Sequence, residues 1–233
     1  MLKLATKFAP DQPEFDTAQA AGFRHAELFL DEAYLARPDA VARLARKYPF
    51  EYVLHCPNQR ELRPDTLQHL AELYAALGCQ ALVIHQPHFD RYGDTLLRHD
   101  PNIRLAIENH ALPPDEFDRW GERSPGLTLD VEHLWKYTLQ DPPLEELLAA
   151  VRRFLTRFAD KLRHVHMPGY APGYPEHRPI YCSRDMVFGV FLLLAEFRFG
   201  GLIVSEVNQE FQNPQDLTMD VLLFQRWQAL QGK

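Results

Sequence analysis

Short apolar segments that end in ionisable residues recur along this chain. The clearest covers residues 105–110, where an apolar stretch ends in a carboxylate, an amide and an imidazole. Such segments are typical of buried β-strands, which carry charge only where the charge is paired or bound to a metal. The pattern returns in residues 52–55, 81–85, 127–130, 162–166 and 202–206, which end in His, His, Asp, His and Glu. Six strand ends of this kind predict one shared polar site.

Strand patterns alternate with helical patterns over almost the whole sequence. Eight strand segments, each followed by a helix or a helix fragment, predict a parallel α/β sheet with right-handed crossovers. Eight units are the number that closes a (β/α)8 TIM barrel, here a small one. The connection at residues 86–102 is short and polar, so we expect a shortened fourth helix of one or two turns near residues 94–98. An open, doubly wound sheet is the alternative, in which the polar ends would lie in a line.

The composition indicates a single domain that spans residues 1–233. The 233 residues are 46% hydrophobic, and no linker or low-complexity tract divides them. The N-terminal residues do not resemble a signal peptide, and the most apolar segment, residues 187–195, is too short to span a bilayer. Three cysteines without a CxxC pair suggest a cytoplasmic protein. The net charge of −7 argues weakly against binding of nucleic acid. The apolar helix predicted at residues 187–199 suits burial in the barrel wall, and a homodimer interface is the second interpretation.

Three carboxylates and one imidazole are the strongest candidates for a metal site. Glu108, Asp130, His166 and Glu206 end the fifth to eighth strands, so in a barrel they surround half of its mouth. Three anionic groups in one cavity repel each other unless a cation holds them together. Mixed oxygen and nitrogen ligands suit Mn, Zn, Mg, Co or Fe. The alternative is that each residue caps a helix or pairs with a Lys or Arg.

Further histidines form a second group of candidates for a metal or a substrate. His55 and His85 end two consecutive strands, and His133 follows Asp130 by three residues. His164 shares the strand face of His166 and should point inward one layer deeper. His177 lies in the loop at residues 168–183. Taken singly, each histidine is more often structural than functional.

The loop at residues 168–183 is expected to cover the mouth of the barrel. It carries tyrosines between four prolines directly after His166. Tyr170 and Tyr174 could stack on a sugar, and Arg178 could bind a phosphate or carboxylate. Asn109, beside Glu108, is a further candidate for substrate binding. The alternative is that the prolines pack the loop flat and leave Arg178 in solvent.

Taken together, these residues resemble a known superfamily. The order His55, His85, Glu108-Asn109, Asp130-x-x-His133, His164-x-His166 and Glu206 is similar to that of the xylose isomerase-like TIM barrels. This group joins sugar isomerases and epimerases with apurinic-site nucleases of the endonuclease IV type. The resemblance extends from His55 to Glu206 and is specific for the superfamily rather than for one reaction.

The two branches imply different metal centres. The epimerase branch implies one metal bound by Glu108, Asp130, His166 and Glu206, with the two glutamates as acid and base. The nuclease branch implies up to three metals and recruits His55, His85, His133 and His177. The nucleases carry an Asp two residues before the last of these histidines, where this chain has Pro175.

We therefore expect a divalent-metal-dependent isomerase or epimerase of a small sugar or sugar phosphate. In this mechanism Glu108 and Glu206 transfer the proton, and His133 helps to stabilise an enediolate. The alternatives are a zinc-cluster phosphodiesterase and a metal-binding barrel without turnover.

Overall fold

A computed structural model describes residues 2–232, which form a closed barrel of eight parallel strands in chain order. Each strand pairs with the next, and β8 pairs with β1 through the register Lys3↔Leu202 to Thr6↔Ser205. The predicted (β/α)8 fold is confirmed, and the open sheet is excluded. The strands are β1 (Lys3–Phe8), β2 (His25–Phe29), β3 (Glu51–His55), β4 (Leu82–His85), β5 (Leu105–Glu108), β6 (Leu127–Asp130), β7 (Leu162–His166) and β8 (Leu202–Ser205).

Helices cover the outside of the barrel. Proline in the first turn begins several of them, and left-handed glycines end two: Gly22 (φ 100°) after α1 and Gly78 (φ 61°) after α4. The α-helices are α1 (Gln12–Ala21), α2 (Glu32–Leu35), α3 (Pro38–Ala45), α4 (Pro64–Leu77), α5 (Gln86–His99), α6 (Pro114–Arg123), α7 (Val131–His133), α8 (Leu144–Phe158), α9 (Arg184–Glu196) and α10 (Pro214–Gln231). A π-helix (Leu134–Thr138) and two 3₁₀ turns (Ile180–Ser183 and Gln209–Phe211) complete the regular structure.

The prediction of a shortened fourth helix is wrong. The helix after β4 is α5, which has 14 residues. Its buried side is narrow and centres on Leu96 and Gly93, where a Cβ atom would meet the ring of Phe89 at 2.7 Å. The remaining residues are largely polar, and Phe89, Tyr92 and Leu97, which pack on the core, are only partly buried. The segment therefore has the composition of a loop although it forms a helix.

Strand alternation separates two apolar layers. A small cluster lies apart from the main core, and its members fill the inside of the barrel: Ala5, Val53, Ala81, Val83, Ala106, Leu202 and Val204. The main core lies between the strands and the helices. Because side chains on one strand face repeat every second residue, the next inward positions are Lys7, His55, His85, Glu108 and Glu206. The apolar filling of the barrel is thus followed by a charged layer at the C-terminal mouth.

The apolar residues of helix α9 are mostly used for packing against the rest of the protein. Met186, Val187, Val190, Phe191 and Leu194 are buried against the barrel, whereas Leu192 is half exposed. Nowhere in residues 2–232 is there a helix with the length and apolar character needed to cross a membrane.

Candidate metal centre

The four predicted ligands converge at the mouth. The Nδ1 atom of His166 lies 2.8 Å from Glu206 Oε2, 3.5 Å from Glu108 Oε2 and 3.8 Å from Asp130 Oδ2. The pairing Asp130↔His166 places these two strand ends at the same height in the barrel. The structure therefore brings together residues from four consecutive strands, β5 to the end of β8.

Several atoms at this point are buried without a hydrogen-bond partner. They are Asp130 Oδ2, His166 Nδ1 and Glu206 Oε2. Two of these atoms, His166 Nδ1 and Glu206 Oε2, lie 2.8 Å apart, and a bound cation would contact all three. Ligand atoms bound to one metal at about 2 Å lie roughly 3–3.5 Å apart, close to the separations around His166 Nδ1. Glu108, Asp130 and His166 each offer a ligand atom within 4.8 Å of the other two, so this donor set fits a divalent metal ion, with Glu206 beside it.

The charges at the mouth are strongly coupled. Burial opposes ionisation of Glu206, but Lys7 and His166 hold its pKa well below the usual range. Burial also disfavours charge on His166, yet Glu27, Glu206 and Glu108 raise its pKa well above the ordinary value. Asp130 differs, because burial raises its pKa. Ionised Glu206 is therefore matched by positive charge on Lys7 and His166, whereas burial disfavours the charge of Asp130.

Asn109 fixes Asp130 and does not point into the mouth. Its Nδ2 donates to the carbonyl of Asp130 at 3.0 Å, and its Oδ1 accepts from the Asp130 N–H at 2.7 Å. Asn109 is fully buried, so the predicted substrate contact is corrected to a link between β5 and β6. Asp130 Oδ1 in turn caps α7 by accepting from the His133 N–H at 2.8 Å, which leaves Oδ2 for a metal. The helix-capping alternative therefore holds for one oxygen of Asp130.

Three histidines surround the far side of Glu108. His55 Nε2 and His85 Nε2 lie 3.3 and 3.4 Å from Glu108 Oε2. The Nδ1 of His55 lies 2.8 Å from the carbonyl of Cys56, to which it donates, so Nε2 is the nitrogen that faces the glutamate. His133 Nδ1 donates to the carbonyl of Asn109 at 2.9 Å and lies 3.6 Å from Glu108 Oε1. His55, His85 and Glu108 form a second group with metal-binding geometry.

Lys7 and Glu27 are site residues that the sequence analysis missed. Glu27 on β2 is completely buried, and its Oε2 accepts from His164 Nε2 at 2.5 Å and from His166 Nε2 at 3.0 Å. Lys7 on β1 contacts Glu27 at 3.3 Å and Glu206 at 2.8 Å. His164 points inward as predicted, but it binds Glu27 rather than the four-ligand group. A charge on the inward face of an apolar strand was the available signal for both residues.

The loop after β7 contributes His177 to the mouth and little else. The His177 ring lies 3.7 Å from Glu206 Oε1 and 3.8 Å from Glu132 Oε1. The φ angle of His177 is 54°, a conformation that is uncommon outside glycine. Two hydrogen bonds hold it: the His177 N–H donates to the Glu132 carboxylate, and the His177 carbonyl accepts from the Asn208 N–H. Glu132, also missed, is buried, and burial together with Asp130 raises its pKa to about 8.

Three predicted substrate contacts in this loop lie elsewhere. Tyr170 is 1% exposed and donates to Asp141 at 2.8 Å, so the prediction that it stacks on a substrate is wrong. The guanidinium of Arg178 lies 4.6 Å from the ring centre of Tyr174, which is 61% exposed. Arg178 and Tyr174 therefore contact each other, and neither lines the cavity beside Glu206.

A cavity of about 470 Å³ opens beside Glu206. Its lining combines charged, aromatic and amide side chains from several strand ends and loops: Lys7, Asp11, Glu14, Phe29, Tyr34, Asn58, His177, Glu206 and Gln212. This volume is in the range of small-molecule sites. The charged layer and the cavity share Glu206 and Lys7.

No protein-family model and no curated protein matches the sequence. Solved structures do match the fold. A D-tagatose 3-epimerase-like protein has a TM-score of 0.68 and 16% identity over 98% of both chains. D-allulose 3-epimerase from Methylomonas sp. in complex with D-allulose has a TM-score of 0.57 and 14% identity over 96% of this chain and 90% of that one.

L-ribulose 3-epimerase is a third similar structure, with a TM-score of 0.54 and 13% identity over 95% of this chain and 86% of its own. Identities at this level show a shared fold and leave the reaction open. The predicted TIM-barrel fold is shared with these three structures, and the resemblance to the xylose isomerase-like superfamily stays a prediction from the sequence.

Proposed function

We propose that this protein is a divalent-metal-dependent isomerase or epimerase of a small sugar. The observation that carries the proposal is the group of unpartnered Asp130, His166 and Glu206 atoms beside a cavity of sugar size. The fold shared with 3-epimerases supports the same reaction class. Glu108, Asp130, His166 and Glu206 would hold one metal ion, with Mn, Zn, Mg and Co as candidates.

The two glutamates suit proton transfer. A bound divalent ion would polarise the sugar carbonyl and make the adjacent C–H proton removable. Glu206 would take this proton on its carboxylate, and Glu108, after taking up a proton from solvent, would return one to the opposite face, which inverts the carbon. Both carboxylates favour the ionised form that a base needs, because neighbouring histidines, and for Glu206 also Lys7, outweigh the effect of burial on their pKa. His133 stabilises the negative oxygen of the enediolate.

We further propose that the substrate is unphosphorylated. Among the described residues that line the cavity, Lys7 is the only Lys or Arg, and it is already paired with Glu27 and Glu206. Asp11 and Glu14 add negative charge at the rim. A phosphate would meet this charge without a free cation, whereas a neutral ketose can place its C–H face on Phe29.

The proposal is tested by solvent exchange. Wild-type protein loaded with Mn²⁺ is incubated with unphosphorylated ketoses and aldoses in D₂O, and NMR follows the loss of carbon-bound proton signals. We expect exchange with at least one sugar and a loss of roughly 100-fold or more in Glu206→Gln. Glu196→Gln, which alters an exposed glutamate paired with Arg152, is the control and should keep full activity. Equal exchange in Glu206→Gln would exclude its role as acid or base.

A zinc-cluster phosphodiesterase is the second candidate. It is favoured by one observation, the approach of His55 and His85 to the same oxygen of Glu108. A double variant with both histidines changed to Gln should keep its only metal in the epimerase case. Loss of one of two or more zinc ions, together with cleavage of an abasic-site oligonucleotide by the wild type, would favour the phosphodiesterase.

A further inference from the structure

Four side chains form a closed ring beside the four-ligand group. His166 Nε2 donates to Glu27 Oε2 at 3.0 Å, and Glu27 Oε1 lies 3.3 Å from the Lys7 ammonium. Lys7 donates to Glu206 Oε1 at 2.8 Å, and Glu206 Oε2 lies 2.8 Å from His166 Nδ1. The ring joins β7, β2, β1 and the end of β8. Two of its members are predicted metal ligands, and the other two lie on strands that supply none.

Glu27 determines which nitrogen of His166 faces the ligands. Because Nε2 donates to Glu27, Nδ1 is the nitrogen directed at the three carboxylates. A metal-binding histidine whose second nitrogen donates to a carboxylate is held in orientation and made a better donor. Without this acceptor, the imidazole could rotate about its side-chain bonds and present the wrong atom.

Glu27 is itself held from two further directions. His164 Nε2 donates to the same Oε2 at 2.5 Å, and Lys7 compensates the charge through Oε1. All three partners are buried, so water does not compete for the carboxylate. The spacing His164-x-His166 now has a reason, since two inward positions of one strand can both reach a carboxylate from across the barrel.

We propose that Glu27 is a positioning residue that fixes His166 for metal binding, with Lys7 as its counter-charge. The inference rests on the metal site of the proposed function and extends it to β1 and β2. A carboxylate of this kind typically changes metal affinity 10- to 100-fold. The rival explanation is that Glu27 and Lys7 form a structural ion pair without influence on the metal.

The test is titration with Mn²⁺ and with Zn²⁺ alone, without a sugar, on the full-length protein. In Glu27→Gln we expect the dissociation constant to rise 10- to 100-fold. The loss of one negative charge would by itself weaken metal binding in Glu27→Gln, so Lys7→Met and the double variant Glu27→Gln/Lys7→Met are needed. The double variant has the same net charge as the wild type but offers His166 a neutral amide oxygen in place of the carboxylate, and it should remain at least 10-fold weaker.

The matched control is Glu51→Gln. Glu51 pairs with Lys3 at 3.0 Å across strands at the opposite end of the barrel, and its loss should leave metal affinity unchanged. A double variant that binds metal within twofold of the wild type would overturn the proposal. Should Glu27→Gln fail to fold, Glu27→Asp, which keeps the charge but shortens the reach, provides the same comparison.

A second measurement separates this inference from the proposed function. In ¹⁵N–¹H spectra, the Nε2–H protons of His164 and His166 should exchange slowly in the wild type and rapidly in Glu27→Gln. This result does not depend on sugar turnover or on bound metal. If metal affinity depends on Glu27 but the protein has no epimerase activity, the proposed reaction is overturned and the positioning role of Glu27 is not. Unchanged histidine signals in Glu27→Gln would overturn the positioning role.

Discussion

At the scale of single residues, Glu108 is the point where the histidines of the mouth meet. His55, His85 and His166 approach its Oε2 atom at 3.3, 3.4 and 3.5 Å. Burial opposes ionisation of Glu108, but His166 and His85 hold its pKa well below the ordinary value. The charge of Glu108 therefore depends on the imidazoles around it.

Asn109 gives a prediction at this scale. Asn109→Ala should lower the free energy of unfolding by about 2–4 kcal/mol, because the backbone N–H and C=O of Asp130 lose their partners in a buried position. Metal affinity should fall too, since Asp130 becomes less well fixed. Urea unfolding at pH 7 measures the first effect and metal titration the second.

Asn58→Ala serves as the control for this substitution. Asn58 is exposed at the cavity, and its truncation should change stability by less than about 0.5 kcal/mol. If Asn109→Ala were as stable as the wild type and only raised KM, the direct substrate contact predicted from the sequence would be correct instead.

Residues at strand ends could be predicted because an apolar segment that ends in His, Asp or Glu is visible in the sequence. Glu108, Asp130, His166 and Glu206 were predicted as ligands on this basis. Tyr170 lies in a loop without such a pattern, and nothing in the sequence indicates that its hydroxyl binds Asp141. Lys7 on β1 and Glu27 inside β2 do not match the strand-end pattern, so neither residue was predicted.

At the scale of elements, Asp220 on α10 joins β8 to the loop above the mouth. Its Oδ2 accepts from Ser205 Oγ at 2.5 Å, and its Oδ1 accepts from the Tyr181 N–H at 3.2 Å. Asp220 is fully buried, and burial raises its pKa from 3.8 to about 7. The attachment of the loop is therefore linked to pH.

The sign of this linkage gives the second prediction. Below about pH 4 Asp220 is protonated in both the folded and the unfolded protein, and the stability that its raised pKa contributes is fully present. Between pH 4 and 7 only the unfolded state ionises, so the contribution is lost as the pH rises through the folded pKa. Asp220→Asn does not titrate, so its stability relative to the wild type should rise from pH 4 to pH 8, by at most on the order of 4 kcal/mol.

Denaturant unfolding of both proteins across this pH range measures the difference. Parallel curves for Asp220→Asn and the wild type would show that Asp220 is ionised in the folded protein at neutral pH.

Among the helices, α5 shows the limit of prediction from sequence, because a partly exposed helix and a polar loop have similar compositions.

At the scale of the whole molecule, barrel closure creates the site. The contact between Lys7 and Glu206 joins the first strand to the end of the eighth, and it exists because β8 pairs with β1. The number of strands and their polar ends predicted this closure. The path of the loop after β7 depends on packing between distant segments, which a single sequence does not display. The single-domain organisation, the cytoplasmic location and a homodimer remain predictions.

If the mouth of the barrel is a metal centre, the purified protein should bind a divalent ion there. Elemental analysis after loading with Mn, Zn, Mg or Co should give one ion per chain. A metal concentration of 100 times the dissociation constant should stabilise the fold by about 2.7 kcal/mol, or roughly 5–10 °C in Tm. Asp130→Asn should lose at least tenfold in affinity, whereas Glu196→Gln should not. No bound metal and no change in Tm with any of the four ions would show that the mouth is not a metal centre.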